Sequence, residues 1–372
     1  MRALHLTLED FRNYDAAEVD LVPGVTAFVG ANGAGKTNLL EALYLCARGE
    51  SPRAREDPEL VRWGRSLARI RTHIARSDGE RRVELLFFAA MEGERRRQRR
   101  YLLDGAPKRG EDTLGELTVV AFFPEDVQLL GEAPSVRRRY LDAMVGQYDR
   151  IHRRQTREYQ RILEQRNALL RAMRDEGRSA DELQFWDAEL CRVGGAISAR
   201  RRDAVEQLRE PFLEALEHFG GDPEARLAYS PESAGSTAEE RAAEYHAMLA
   251  EKREKELWQG SSLVGPHRED LALTVQGRDL PSFASRGEQR SAVLALKLAE
   301  AAWLLARTGE APVFLLDDVL SELDPVRRDS LVRALPAGAQ AVITAALPIG
   351  LPAALMASAC VVQVPFLRRD ES

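Results

Sequence analysis

Residues 30–37 read GANGAGKT, and these eight residues are the strongest indication of the fold of the chain. It matches the phosphate-loop pattern G-x-x-x-x-G-K-[ST], with a β-like run (GVTAFVG) leading into it and a helical pattern over residues 37–48 after it. The glycines let successive backbone N–H groups turn toward phosphate oxygens at the N-terminus of the helix. The motif predicts a strand, a loop and a helix in which Lys36 reaches the β- and γ-phosphates and the Thr37 hydroxyl binds Mg²⁺. The ATP-binding residues that we predict from it are Gly30, Asn32, Gly33, Ala34, Gly35, Lys36, Thr37 and Asn38.

A second motif, VFLLDD at residues 313–318, has the pattern of a buried strand that ends in two carboxylates. Alone, such an ending is also typical of a helix cap or a surface turn. Paired with the phosphate loop, it is the expected Walker B motif, in which Asp317 holds Mg²⁺ and Asp318 orients or deprotonates the attacking water. Most of the chain separates the two motifs, so their spacing predicts an insertion between the two halves of the site.

The predicted insertion is helical. Residues 135–219 carry two apolar stripes at helical spacing, which we interpret as two antiparallel helices packed as a hairpin arm, the alternative being two ordinary bundle helices without a protruding arm. Residues 220–241 are rich in Pro, Gly, Ser and Glu and predict a loop, whereas 67–105 predict a β-rich lobe. We therefore predict an α/β head domain from 1–134 and 242–372, with an inserted arm domain at 135–241. The stripes consist of Tyr159, Ile162, Leu169 and Met173, then Leu183, Trp186, Leu190, Val193, Ile197, Ala204 and Leu208.

Composition narrows the class of protein. The 372 residues carry 53 basic and 59 acidic side chains, and the net charge of −6 argues against a histone-like protein while allowing a local basic face. Three isolated cysteines and six scattered histidines predict neither a disulfide framework nor a metal site, which fits a cytoplasmic protein. Residues 334–367 lack charge and are long enough to span a bilayer, but prolines interrupt them, so we predict two buried strands (AVITAA and ACVVQV) and no membrane partner.

Two further motifs surround the Walker B strand. Residues 285–289 (SRGEQ) open an amphipathic helix, and 321–324 read SELD. Alone, the first of these is also a plain helix N-cap. With the phosphate loop and the Asp pair, their order and spacing resemble the ABC-type ATPase head, with its signature motif S-x-G-[QE] and D-loop S-x-L-D. That resemblance implies a homodimer with two ATP molecules between its subunits. The residues that would act across the dimer are Ser285, Gly287, Glu288, Gln289 and Asp324.

The whole series of motifs resembles the RecF family of bacterial recombination mediators, small relatives of the SMC-type ATPases. In order, it comprises LEDFRNY (8–14), the phosphate loop, FPED (123–126), RRRYLD (137–142), GPHR (265–268) and the 285–324 block. The resemblance implies an ABC-type P-loop ATPase head with a β-rich lobe and a short helical arm, in which Arg12 and Asn13 also bind ATP. It further implies ATP-dependent dimerisation and slow, DNA-stimulated ATP hydrolysis. The implied partners are double-stranded DNA near gaps, single-strand/double-strand junctions, and RecR and RecO, with which the family loads RecA in DNA repair, recombination, replication and the SOS response.

Three positions depart from the general ABC pattern. Asp318 stands where Glu is commoner, and its shorter side chain is consistent with slow turnover. Near the end of the strand AVITAA, where many ABC ATPases have a histidine that senses the γ-phosphate, this sequence has Thr344 and no histidine. Gln128 lies near the expected Q-loop, but its position equally suits a solvated helix residue.

Basic residues outnumber acidic ones in two regions, 50–110 and 150–178, although the chain as a whole is acidic. Such regions are often solvated faces, but two of them together suggest a polarised surface that binds the DNA backbone without sequence preference and with strong salt dependence. The DNA-contact residues that we predict are Arg95, Arg96, Arg97, Arg99 and Arg100.

The function predicted from these motifs is a DNA-repair ATPase in which ATP closes a homodimer on DNA and hydrolysis opens it. The main alternative is the soluble nucleotide-binding subunit of an ABC transporter, which would lack a helical insertion with a basic stripe. A structural SMC-like tether would need a much longer coiled coil. A nuclease would need a further cluster of carboxylates and metal that the sequence does not show.

Overall fold

A computed structural model of the chain describes residues 1–89, 99–176, 181–231, 235–336, 338–347, 355 and 359–365. The strands of these ranges are β1 (Arg2–Phe11), β2 (Tyr14–Asp20), β3 (Val25–Val29), β4 (Leu67–Arg76), β5 (Gly79–Phe88), β6 (Arg100–Leu103), β7 (Ala106–Lys108), β8 (Val119–Phe122), β9 (Ala225–Ser230), β10 (Asp270–Val275), β11 (Arg278–Asp279), β12 (Val313–Asp317), β13 (Ala341–Ala345) and β14 (Cys360–Gln363). The helices are α1 (Lys36–Arg48), α2 (Gly110–Thr113), α3 (Pro134–Tyr148), α4 (Arg150–Glu176), α5 (Asp181–His218), α6 (Ala238–Gln259), α7 (Leu280–Phe283), α8 (Arg286–Thr308), α9 (Val319–Glu322) and α10 (Pro325–Ala334). Short 3₁₀ turns occur at Asp57–Leu60, Pro124–Gln128 and Pro266–Arg268.

The chain divides into two compact units. The first unit comprises Met1–Val127, Pro211–Gly221 and Arg286–Ser372, and the second comprises Gln128–Glu210 and Asp222–Ser285. The second unit therefore includes residues 242–285, which the sequence-based division assigns to the head. That division, with boundaries after residues 134 and 241, remains a prediction about functional domains.

A parallel sheet of five strands, in the order β14-β3-β13-β12-β8, lies in the first unit. Every residue of β3, β8, β12 and β13 is buried, as expected for strands that are covered on both faces. The continuous apolar runs VFLLD and AVITA thus form adjacent buried strands, which confirms these predictions. CVVQ also forms a strand, but the prediction that it is buried is wrong, because it lies at the edge of the sheet with its side chains exposed or partly exposed.

The predicted β-rich lobe is an antiparallel sheet in the order β2-β1-β4-β5-β6-β7. Strand β4 alternates buried and partly exposed residues, so one face of the sheet contributes to a core. That core also contains apolar residues of α1, including Leu39 and Leu43. The lobe and the helix after the phosphate loop are therefore packed in one hydrophobic cluster.

The second unit is built on three long helices and a small sheet in the order β11-β10-β9. Helices α4 and α5 run antiparallel, as shown by bonds from Arg166 to Asp187 and from Arg200 to Gln155. Both predicted stripes are buried or partly buried, which confirms the helical pattern. Helix α6 joins them through Glu256, which accepts a bond from Arg166 at 2.6 Å. The second unit therefore contains two helices that the two-stripe interpretation omitted, α3 before the stripes and α6 after them.

The loop predicted for residues 220–241 is wrong at its centre and at its end. Residues 225–230 form β9, in which Ala225, Leu227 and Tyr229 are buried at every second position, and β9 pairs with β10. The flanking Pro and Gly residues concealed this alternation. Among the described residues, no helix is both long and apolar enough to cross a membrane.

Candidate nucleotide-binding site

The two predicted halves of the site meet at the carboxyl edge of the parallel sheet. Strand β13 lies between β3, which leads into the phosphate loop, and β12, which ends in Asp317. Thr344 pairs with Phe28 on one side and with Asp317 on the other. The carboxyl ends of parallel strands are the usual place for a ligand in an open α/β sheet. The sheet order therefore brings Gly30, Thr344 and Asp317 to one edge.

The phosphate loop depends on glycine at Gly35. This residue precedes α1 and has a φ of 105°, a left-handed conformation that L side chains rarely adopt. A Cβ at this position would lie 2.6 Å from Asn13 Nδ2 and 2.8 Å from the Tyr14 hydroxyl. The loop can therefore turn into the helix here only without a side chain, as the phosphate-loop motif predicts.

Lys36 extends across its own loop. Its side chain is buried, and Nζ donates hydrogen bonds to the carbonyl oxygens of Gly30 at 2.7 Å and Ala31 at 3.0 Å. An ammonium group fixed beside the N-terminus of α1 reinforces the positive end of the helix. The loop thus offers a site that fits a polyphosphate anion.

Asp317, Thr37 and Thr344 form one connected network. Thr37 Oγ1 donates to Asp317 Oδ1 at 2.9 Å, and Thr344 Oγ1 donates to the same oxygen at 2.7 Å. Thr344 Oγ1 also accepts the backbone N–H of Asp318 at 2.9 Å. The Thr344 hydroxyl, which the sequence places where a histidine is common, therefore orders both residues of the Asp pair.

The donor set around Asp317 fits Mg²⁺. Burial raises the pKa of Asp317, while the hydrogen bonds from Thr344 and Thr37 and the charge of Arg53 oppose that rise. The described residues contain no cluster of three or more His, Cys, Asp or Glu side chains that could hold a metal alone. Mg²⁺ commonly takes one or two protein oxygens together with phosphates and water. The oxygens of Thr37 and Asp317 suit a metal that arrives with a polyphosphate.

Asp318 occupies a constrained turn. Its φ is 50°, a left-handed conformation, and it immediately precedes α9. Ser321 Oγ lies 2.9 Å from Asp318 Oδ1 and 2.7 Å from the Asp318 carbonyl oxygen. The carboxylate that the sequence assigns to water activation is therefore held by the first residue of the SELD motif in the same chain.

The predicted signature and D-loop residues lie at the beginnings of two helices. Ser285 and Glu288 are exposed at the start of α8, where Gly287 and Gln289 are partly buried. Asp324 caps α10 by accepting the Arg327 backbone N–H at 3.0 Å, and the bonds from Arg327 lower the pKa of Asp324. Arg327 Nε also donates to Ser291 Oγ at 2.9 Å, so this arginine joins α10 to α8. Nothing in the sequence around a lone surface arginine signals this link.

A buried carboxylate, Glu41, organises the outer side of the phosphate loop. It accepts bonds from Arg12 at 2.6 and 2.9 Å, from Arg53 at 2.7 Å and from Ser51 at 2.5 Å. Burial alone would raise the pKa of Glu41, but Arg12, Arg53 and Ser51 hold it below its ordinary value. Three N–H donors of Arg12 are therefore engaged inside the protein, because Nη1 also donates to the Glu59 carbonyl oxygen at 3.0 Å.

A cavity of about 740 Å³ opens beside this network. Asn13, one of its lining residues, donates to the phosphate-loop carbonyl of Ala34 at 3.3 Å and accepts a bond from Asn38 at 2.7 Å. The cavity therefore adjoins the loop directly. It is lined by Arg12, Asn13, Asn38, Arg53, Pro58, Glu59, Val61 and Trp63.

The predicted DNA-contact arginines separate into two groups. Arg95, Arg96 and Arg97 lie outside the described residues. Arg99 is engaged internally with Asp57, the Tyr101 hydroxyl and the Gly49 carbonyl. Burial opposes its charge, but the interactions with Asp57 and Tyr101 raise the pKa of Arg99. Arg100 is exposed, with its guanidinium 5.4 Å from the centre of the Phe88 ring.

Other functional positions carry no motif in the sequence, because their roles depend on side-chain contacts that form only in the folded chain. Glu41, Arg53 and Ser321 belong to the site only because of the hydrogen bonds that their side chains make there. Trp63 belongs to it only because it lines the cavity. The sole signal in the sequence was an isolated tryptophan between Arg62 and Gly64. For Gln128, the suggested Q-loop residue, the side chain lies outside what the structure describes.

Comparison with known proteins identifies relatives of the whole chain. The family model described as RecF/RecN/SMC N terminal domain matches residues 4–348. The DNA replication and repair protein RecF of Roseiflexus castenholzii is 42% identical over 351 residues, which cover 88% of this chain and 89% of that protein. A solved structure described as the recombination mediator protein RecF-ATPrS in the RecFOR pathway superimposes with a TM-score of 0.87 at 28% identity, covering 98% of this chain and 96% of the other.

A more distant match concerns the fold alone. An SMC head bound to the C-winged helix domain of ScpA superimposes with a TM-score of 0.52 at 15% identity, covering 97% of this chain and 94% of the other. Together with the mixed α/β architecture, these matches confirm the predicted fold, an ABC-type P-loop ATPase head with a β-rich lobe and an inserted helical arm.

Proposed function

Because this chain belongs to the RecF family, we propose that it is an ATP-dependent DNA-binding protein of recombinational repair. The observation that carries the proposal is the network from Thr37 through Asp317 and Thr344 to Asp318, which joins the phosphate loop to the Asp pair. A phosphate loop connected in this way to two carboxylates is an arrangement suited to ATP hydrolysis, with a P-loop hydroxyl and an Asp for Mg²⁺ and a second carboxylate for the water. The solved RecF-ATPrS and RecF-ATP structures belong to relatives and support ATP as the nucleotide.

In the proposed mechanism, the loop amides and Lys36 bind the triphosphate. Thr37 and Asp317 would hold Mg²⁺, which when bound neutralises charge on the phosphate oxygens. Asp318 accepts a proton from the attacking water, and Ser321 positions its carboxylate. Since an Asp carboxylate reaches one methylene less far than Glu, we expect slow hydrolysis, suited to a switch rather than to rapid turnover.

ATP would act as the contact between two protomers. Ser285, Gly287, Glu288, Gln289 and Asp324 are proposed to close over the ATP that a second copy of the chain binds. The exposure of Ser285 and Glu288 at the start of a helix supports this role, because the positive end of the helix dipole suits a γ-phosphate.

The proposed targets are double-stranded DNA near gaps and single-strand/double-strand junctions, with RecR, RecO and RecA as protein partners in the cytoplasm. The RecFOR pathway named for the solved relative supports this assignment. Among the predicted arginines, Arg100 is the described candidate for a phosphate contact, whereas Arg99 is expected to act structurally. The family membership argues against the transporter subunit as an alternative.

The experiment that tests the function measures binding to a gapped duplex at a fixed salt concentration, with and without ATP-Mg²⁺, together with the stoichiometry of the complex. We expect ATP to strengthen binding and two protomers to be found per complex. Ser285→Arg should retain ATP binding but lose ATP-induced dimerisation. Affinity for DNA that does not respond to ATP would refute the switch, and a Ser285→Arg protein that dimerises normally would refute the ATP-bridged dimer.

A further inference from the structure

Trp63 is the most exposed of the large apolar side chains in the described residues, with 99% of its surface accessible. A single exposed apolar residue needs no explanation by itself, so it is the place of this indole in the fold that points to a ligand. Trp63 lines the cavity of about 740 Å³ beside the phosphate loop. Its position on that wall indicates which ligand it serves.

The backbone that carries Trp63 is fixed to the end of β1. The Arg12 N–H donates to the Leu60 carbonyl at 2.9 Å, and the Arg62 N–H donates to the Asp10 carbonyl at 2.8 Å. Between them, Phe11 and Val61 form an isolated β-bridge. The indole is therefore presented from an ordered segment, which lowers the entropy lost when a ligand binds.

The two walls of the cavity differ in chemistry. Asn13 and Asn38 form a polar wall that is hydrogen-bonded to the phosphate loop. Pro58, Val61 and Trp63 form an apolar wall on the segment tied to β1. Phosphate loop, polar wall and apolar wall therefore follow one another in the order in which a nucleotide presents its phosphates, its polar ribose and its flat aromatic base.

We propose that Trp63 stacks on the base of the nucleotide whose triphosphate occupies the loop, and that Pro58 and Val61 complete an apolar base subsite. The inference rests on the proposed ATP binding and names the residue that recognises the base. The energy of stacking depends on the contact area between two aromatic faces and not on matched hydrogen-bond donors and acceptors. This subsite therefore favours purine over pyrimidine nucleotides and distinguishes weakly between adenine and guanine.

The test separates base binding from phosphate binding. Affinities for ATP, GTP, UTP and inorganic tripolyphosphate, each with Mg²⁺, are measured by calorimetry for the full-length wild type, Trp63→Ala and Trp63→Phe. Trp258→Ala is the matched control, because Trp258 is 78% exposed but lies in the second unit. We expect Trp63→Ala to weaken ATP and GTP about 10-fold, with a smaller loss for UTP and none for tripolyphosphate. Trp63→Phe should retain most of the ATP affinity, and Trp258→Ala all of it.

Intrinsic fluorescence gives an independent readout. ATP should quench the emission of wild type and of Trp258→Ala, and this quenching should be lost in Trp63→Phe. Unchanged ATP affinity in Trp63→Ala would overturn the proposal, and so would an equal loss for ATP and tripolyphosphate, which would mean that the loop itself had been disturbed. If the wild type binds neither ATP nor tripolyphosphate, the proposed ATP binding itself is refuted. That result differs from the two outcomes just named, in which the wild type binds ATP.

Discussion

Replacing Thr344 by Val tests whether this hydroxyl holds the Asp pair in place. Thr344 is 1% exposed, and its Oγ1 donates to Asp317 Oδ1 while accepting the Asp318 N–H. Valine has nearly the same shape, so the change removes two hydrogen bonds without opening a cavity. Any effect therefore reports the hydroxyl and not the packing.

The expected cost follows from the two groups that lose a partner. A partly buried backbone N–H left without its acceptor costs about 1–3 kcal/mol, and a hydrogen bond to a carboxylate contributes about 1.5–3 kcal/mol. We expect Thr344→Val to lower the free energy of unfolding by about 3 kcal/mol. Because the turn at Asp318 loses its anchor, ATP hydrolysis should fall about 10-fold, a change equal to about 1.4 kcal/mol in the activation barrier.

Urea unfolding followed by circular dichroism measures the first effect, and steady-state phosphate release at saturating ATP measures the second. Thr118→Val is the matched control, since Thr118 is fully buried but its hydroxyl lies 3.5 Å from Met1 Sδ, a weak acceptor. Thr344→Ser should restore much of both properties. If Thr344→Val and Thr118→Val behave alike in stability and in hydrolysis, the reasoning about the Asp pair is refuted.

Three further predictions follow from other side chains. Lys36→Met should abolish ATP binding in calorimetry, whereas Lys108→Met, at an exposed position, should bind normally; equal binding by both would contradict the assignment of Lys36. Glu41→Gln should destabilise the chain by about 2 kcal/mol in urea, because the two arginines that it binds lose their counter-charge; a change below about 0.5 kcal/mol would count against this. Burial lowers the pKa of His267 to about 4, so the unfolded chain takes up this proton near pH 6.5 before the folded chain does. The free energy of unfolding should therefore fall by about 2 kcal/mol between pH 7.5 and pH 5. This part of the pH dependence should be absent when His267→Gln is unfolded with urea at the same pH values.

Local patterns in the sequence were sufficient for much of the fold. The buried strand VFLLD, the alternating strand β4 and the helix after the phosphate loop each show their own periodicity, and the structure confirms them. The prediction missed β9, whose short alternation is surrounded by loop-forming residues, and it missed the packing of α6 against the two striped helices. Both omissions concern segments whose structure depends on distant partners.

In the candidate site, too, some residues could be found from local motifs and others could not. GANGAGKT and the Asp pair could be found from sequence, because backbone conformation and phosphate chemistry require particular residues at particular spacings within a few positions. Local sequence patterns were therefore enough to assign the ATPase class, the strand-loop-helix unit and the family. The tertiary structure alone decided that Thr344 lies between the two motifs, that Arg99 is engaged internally, and that Trp63 faces a cavity next to Asn13. The physical reason is that these relations arise from sheet order and from contacts between residues far apart in the chain, and no local periodicity encodes such contacts.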